Sequence, residues 1–117
     1  MAAPDGPAAS AVFDLLNQEV VNLHELCALL EAGGDPHFAS NHNRGCVWAC
    51  VQEGRCTLGH RGALMILAAR GVDLQRRAGN TKTPLTSVQG RAPRCPAAEK
   101  TAVFLQELIA QFAQFAQ

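Results

Sequence analysis

Between His42 and His60 the chain gathers five side chains that could bind a metal or attack an electrophile: His42, Cys46, Cys50, Cys56 and His60. The spacing Cys50-x5-Cys56-x3-His60 matches the second half of a three-cysteine, one-histidine zinc knuckle. His42 or Cys46 would complete a tetrahedral N/S set. Against this, Cys46 and Cys50 stand four residues apart, the spacing of one helix face, and no CxxC pair is present. The flanks also lack the aromatics and base clusters of nucleic-acid-binding knuckles. A thiol nucleophile served by His60 is the other chemical option, but no orienting acid or oxyanion hole is marked beside it. No glycine loop opens a helix to cradle phosphate, because Gly33-Gly34 closes one. The chain is therefore expected to be non-catalytic and free of cofactors. Its alternative reading is a small zinc domain with nucleic acid as partner. Cys95, in a loop with Arg91 and Arg94, is the thiol expected to be exposed and oxidisable.

Composition bounds what can position these groups. With 48% hydrophobic and 17% charged residues over 117 positions, the chain has enough apolar material for one packed core. Alanine and leucine dominate and aromatics are few, which favours closely packed helices over a sheet sandwich. No apolar run approaches the roughly 20 residues that span a bilayer, so no membrane partner is expected. The start, Met1-Ala2-Ala3-Pro4-Asp5-Gly6-Pro7, lacks the basic flank and apolar centre of a secretory signal, and residues 1–9 are expected to form a flexible tail. Five cysteines, an odd number, argue against a disulfide framework and for an intracellular, cytoplasmic or nuclear setting.

The helices follow from periodicity and punctuation. Ser10–Val21 carries Val12, Leu15 and Leu16 at helical spacing. Asn22 caps a second helix, with Glu25 placed as in a capping box, an apolar face of Leu23, Leu26, Cys27, Leu29 and Leu30, and Gly33-Gly34 as its stop. Cys46–Gln52, Gly62–Arg70 and Thr83–Gln89 read as three further helices. The segment Gly90–Pro96 reads as a basic loop that its prolines keep out of helix. A last amphipathic helix, Ala97 to about Phe112, presents Val103, Phe104, Leu105, Leu108, Ile109 and Phe112 as an apolar stripe.

Two stretches repeat. Ala28-Leu29-Leu30-Glu31-Ala32-Gly33-Gly34-Asp35-Pro36 aligns with Ile66-Leu67-Ala68-Ala69-Arg70-Gly71-Val72-Asp73-Leu74 at a shift of 38 residues, Gly33 over Gly71 and Asp35 over Asp73. The same shift sets Gly45-Cys46-Val47-Trp48 over Thr83-Pro84-Leu85-Thr86. A helix closed by Gly, a turn-rich excursion and a Thr-Pro-Leu start resembles the ankyrin repeat, over about residues 12–112. The shift exceeds that family's ~33-residue period, which places the excess around Arg55–His60. Both copies lack the family's histidine after Thr-Pro-Leu, showing Trp48 and Thr86 instead.

The resemblance implies an all-α stack of about three helix pairs, units 10–42, 43–80 and 81–117, with hairpin-like finger loops and a C-terminal capping helix. It further implies a protein-binding surface made of finger tips and inner helices, for which Phe38, Asn41, Arg44, Gln52, Arg76, Arg77, Asn80 and Lys82 are the expected contacts. Phe38 is expected against the neighbouring finger, and Trp48 inside the core with its indole N–H on a backbone carbonyl. Charge is uneven: residues 1–58 hold seven acids against two bases, and residues 59–117 eight bases against three acids. The basic second finger points to an acidic segment on the partner. The asymmetry, with Phe112 and Phe115 at the end, also raises self-association as a further option.

Overall fold

The computed structural model describes residues 8–40, 43–52, 54–77 and 82–113. These residues are mostly helical. The helices are α1 (Ala11–Leu16), α2 (Leu23–Glu31), α3 (Cys46–Val51), α4 (Leu58–Ala69), α5 (Pro84–Arg91) and α6 (Pro96–Ala113), with a 3-10 turn at Ala92–Arg94. Among the described residues no strand forms, and an isolated antiparallel bridge joins Ala39 to Gly45. The expected tail falls mostly in residues 1–7, and Asn41, His42, Asn80 and Phe115 likewise lie outside the described residues.

Packing pairs α1 with α2, α3 with α4 and α5 with α6. Between pairs, α1 lies on α3 and α3 on α5, while α2 lies on α4 and α4 on α6. The result is two rows of three helices, with α3 and α4 touching both neighbouring pairs. Leu16, Leu26, Val51, Leu64, Leu67, Val88 and Leu105 are completely buried and carry the core through all three pairs. Each such side chain contributes about 1.5–3 kcal/mol of transfer free energy.

The caps explain where the helices begin. Asn22 accepts from the backbone N–H groups of His24 and Glu25, Thr57 from that of His60, and Thr83 from that of Thr86. Each side chain satisfies N–H groups that have no partner within the helix. The Thr57 cap starts α4 four residues before the expected Gly62. The excess residues of the middle pair are thus partly an extra helical turn. The first helix stops at Leu16 and not at Val21, because the Asn17 amide folds back to donate to the Phe13 carbonyl. Nor is Gly90–Pro96 a plain loop: α5 runs to Arg91, Pro93 sits in the 3-10 turn, and Pro96 is the first residue of α6, where a missing N–H costs nothing.

Gly33 and Gly71 play equivalent parts. Both lie just past the second helix of a pair, with φ of 101° and 81°, in the left-handed region that a side chain disfavours. Two residues on, Asp35 accepts from the backbone N–H of His37 and Asp73 from that of Gln75, forming the same side-chain turn. The second positions differ. A Cβ on Gly34 would stand 2.8 Å from the Leu29 carbonyl oxygen and from Val12, whereas Val72 is half-buried at the matching place.

Some expected faces turn differently. Cys27 and Val103 are exposed on α2 and α6, while the small residues Ala98, Thr101 and Ala102 are buried. The small residues share the buried side of α6 with Leu105 and Leu108. Cys95 is half-buried, so Cys27 is the exposed thiol and the expectation for Cys95 is corrected.

Candidate functional site

The two loops that follow α2 and α4 flank a groove. One wall comes from Pro36, His37 and Phe38, the other from Val72, Asp73 and Arg76, and the floor from Cys46, Val47, Trp48 and Pro84 at the starts of α3 and α5. Two reciprocal hydrogen bonds set the distance between the walls. Arg76 Nη1 donates to the His37 carbonyl at 3.0 Å, and Asn43 Nδ2 donates to the Arg77 carbonyl at 2.9 Å. Asn43 has φ of 57°, the left-handed conformation that asparagine tolerates best among residues with side chains. The first loop closes on itself where Ser40 N donates to the Arg44 carbonyl at 2.8 Å. Gly45 is buried, and a Cβ there would be 3.5 Å from Arg76 Cδ, so the Arg76 stem lies across it.

Trp48 is half-buried and not enclosed by the core, which corrects the expectation for it. Its ring carries the Arg44 guanidinium 4.8 Å from the centroid, a cation–π contact made by residues four apart across the start of α3. Phe38 is also half-buried, and its ring packs on Phe13 of α1, with centroids 5.5 Å apart. Both side chains line the groove while each ring makes one further contact outside it.

Of the expected contacts, Phe38 and Arg76 line the groove, Arg44 lies over the ring of Trp48, which lines it too, and Arg77 accepts from Asn43 through its backbone carbonyl. Lys82 is exposed ahead of α5. Gln52 is not part of this surface: its amide donates to the Asn17 side chain beyond the end of α1. Trp48 and Asn43 are the participants that the expected set omitted. The Arg44–Trp48 contact joins residues on either side of the start of α3, and the Asn43 tie spans two loops and leaves no local signal.

Cys46, Cys50, Cys56 and His60, the described donors considered for zinc, do not assemble. Among the described residues no three of His, Cys, Asp and Glu come together in a manner that would hold an ion. His60 is fully buried and its ring is engaged on both sides. Nε2 lies 2.9 Å from the Gln18 carbonyl and 3.2 Å from that of Leu16, and Nδ1 lies 2.7 Å from the Thr57 hydroxyl. Carbonyls only accept, so Nε2 carries the proton and Nδ1 accepts from Thr57. Burial lowers the His60 pKa, assisted by Arg55 and opposed by the two carbonyls, and keeps the ring neutral. Burial pushes the Cys46 thiol up to about 12, with Asp35 adding to the shift and Arg76 opposing it. The Cys50 thiol is raised well above its usual value, again chiefly by burial. Cys56 donates to the Val51 carbonyl at 3.5 Å. Cys46 and Cys50 are thus packed thiols without thiolate character.

No protein-family model, curated protein or solved structure matches the chain. No helix among the described residues is long and apolar enough to cross a membrane.

Proposed function

We propose that the chain is a short ankyrin-like stack acting as a non-catalytic protein-interaction module, which grips a segment of a partner protein in the groove between its two finger loops. The reciprocal Arg76–His37 and Asn43–Arg77 hydrogen bonds carry this reading. They fix two projecting loops at a set separation over an aromatic floor, and a preorganised groove avoids the ordering cost that weakens binding by loose loops. The matched turns at Gly33–Asp35 and Gly71–Asp73, with three helix pairs in two rows, support the ankyrin-like assignment. Absence of catalysis fits a histidine whose nitrogens are both in structural bonds and thiols held protonated by burial. Five free thiols, one of them exposed, suit a reducing intracellular compartment.

Trp48 is the sole tryptophan and tyrosine is absent, so tryptophan fluorescence reports on the groove alone. Peptides selected from a displayed random library against the intact chain should shift Trp48 emission, and Trp48→Ala should weaken them about tenfold or more, as a central aromatic anchor does. Selected peptides that leave the emission unchanged, or a library that yields none, would remove the groove as the binding surface.

A further inference from the structure

We infer that the groove takes an extended acidic peptide in which carboxylates alternate with apolar side chains, and that Arg44, stacked on Trp48, is the carboxylate receptor. This rests on the interaction-module reading above and adds the chemistry of the occupant.

A guanidinium over an indole ring is held there by its charge, and its N–H donors remain available to an acceptor beside the ring. Arg44 is exposed. Its contact with Trp48 therefore aims the guanidinium without consuming its hydrogen bonds. Cation–π contact at an exposed site is worth only about 0.5–1 kcal/mol, against about 1.5–3 kcal/mol for a hydrogen bond to a charged group. A carboxylate can thus bind these donors while the contact persists. Arg76 lies across Gly45, the residue between Arg44 and α3, and spends one nitrogen on His37. Two guanidiniums therefore flank the same glycine above an apolar floor.

The charges are not uniform, and that selects the class of ligand. Asp35 and Asp73 stand at the two walls, each with one oxygen accepting from its own turn. A continuous polyanion such as a nucleic-acid backbone would meet both of them. A peptide with spaced carboxylates can pair with Arg44 and Arg76 and set apolar side chains between Phe38 and Trp48. A strand-binding surface would also need a row of bare rings for successive bases, and here the single indole is already covered.

The test follows Trp48 emission in the intact chain during titration, at low and high salt. The probes are a blocked peptide alternating leucine and glutamate, the same peptide with glutamine or lysine for glutamate, and single-stranded oligothymidylate. The glutamate peptide should bind about tenfold or more tighter than the glutamine one, less so at high salt. Arg44→Gln, a change at an exposed position, should cut that preference at least threefold, with the remainder resting on Arg76. Equal binding of glutamate and glutamine peptides, preference for lysine, or a preference undiminished by Arg44→Gln would overturn the inference. A response to oligothymidylate with none to the glutamate peptide would overturn it together with the protein-binding reading. If library-selected peptides move Trp48 emission while the glutamate peptide does not, the acidic preference alone is lost.

Discussion

The middle helix pair is fastened to its two neighbours by different chemistry. Toward the first pair the seam is tight and its central tie is neutral. His60 bridges the carbonyls of Leu16 and Gln18, and Gly59 and Gly62 let α4 approach so closely that a Cβ on them would stand 2.8 Å from the Val21 oxygen and 2.6 Å from a Leu23 methyl. Arg55 Nε adds a bond to the Asn17 carbonyl at 2.6 Å. Toward the third pair the seam is spanned by long cationic arms. Arg91 donates to the Val51 carbonyl, and Arg61 reaches the Cys56 carbonyl at 3.1 Å and the buried Thr101 hydroxyl at 3.4 Å. Much of the basic excess of residues 59–117 is thus spent on carbonyls inside the fold. An imidazole titrates near neutrality and a guanidinium does not, so only the first seam should respond to mild acid.

The largest effect is expected at His60. His60→Ala removes the partners of two carbonyls and a hydroxyl and leaves a cavity, and should cost about 2–4 kcal/mol in urea unfolding with the m-value unchanged. Acid should act on the same tie. The folded-state pKa of His60 lies below its unfolded value, so the unfolded chain binds the extra proton first. Its contribution is complete above about pH 6.5, the unfolded value, and is lost as pH falls from there toward the folded pKa. His60→Gln keeps a donor but cannot titrate, and should flatten this part of the stability–pH curve. A curve of unchanged slope would show that the imidazole is not the acid-sensitive element.

Gly59→Ala comes next. Its Cβ would press on the Val21 backbone, which has no rotamer to yield, and a loss of about 1–3 kcal/mol is expected. The second seam should lose less. Arg91→Ala deprives the Val51 carbonyl of a partner near solvent, for about 1–2 kcal/mol, and its penalty should not change between pH 7.5 and 5.5, about one unit either side of the histidine range. Arg91→Lys should recover only part of it, because Arg91 Nη2 reaches both the Val51 carbonyl and, at 3.9 Å, Cys56 Sγ, and the shorter lysine stem carries its ammonium less far. Were the Arg91 penalty to vary with pH as the His60 tie does, the distinction between the seams would fail.

How much of this was legible in the sequence depended on the range of the interaction. The turns at Gly33–Asp35 and Gly71–Asp73 and the caps Asn22 and Thr83 are local, and their residue types announce them. The all-helical class followed from periodicity. His60 was legible only as a donor in a cluster of thiols, because its carbonyl partners lie 42 and 44 residues away and backbone oxygens have no sequence signature. The same holds for Arg55, Arg91 and Asn43, each of which meets a distant backbone atom. For the groove, residue type picked out Phe38, Arg44 and Arg76, while Trp48 was assigned to the core because size and hydrophobicity alone favour burial. It is instead half-buried beneath Arg44, which stands four residues before it.

The smallest expected effect has the opposite sign, and it separates close approach from glycine content as such. Gly90, near the end of α5, is exposed, and a Cβ there meets nothing within 4 Å. Its φ is not positive, so the backbone already suits alanine. Gly90→Ala should therefore stabilise the fold by up to about 1 kcal/mol through reduced freedom of the unfolded chain and better helix propensity. Gly59 and Gly90 are both helical glycines of the same chain, and a composition-based argument would treat them alike. Opposite signs in thermal unfolding would show that the first seam depends on van der Waals approach. A loss at Gly90 matching that at Gly59 would mean that α5 bears a contact which the second seam, as described by its guanidinium arms, does not contain.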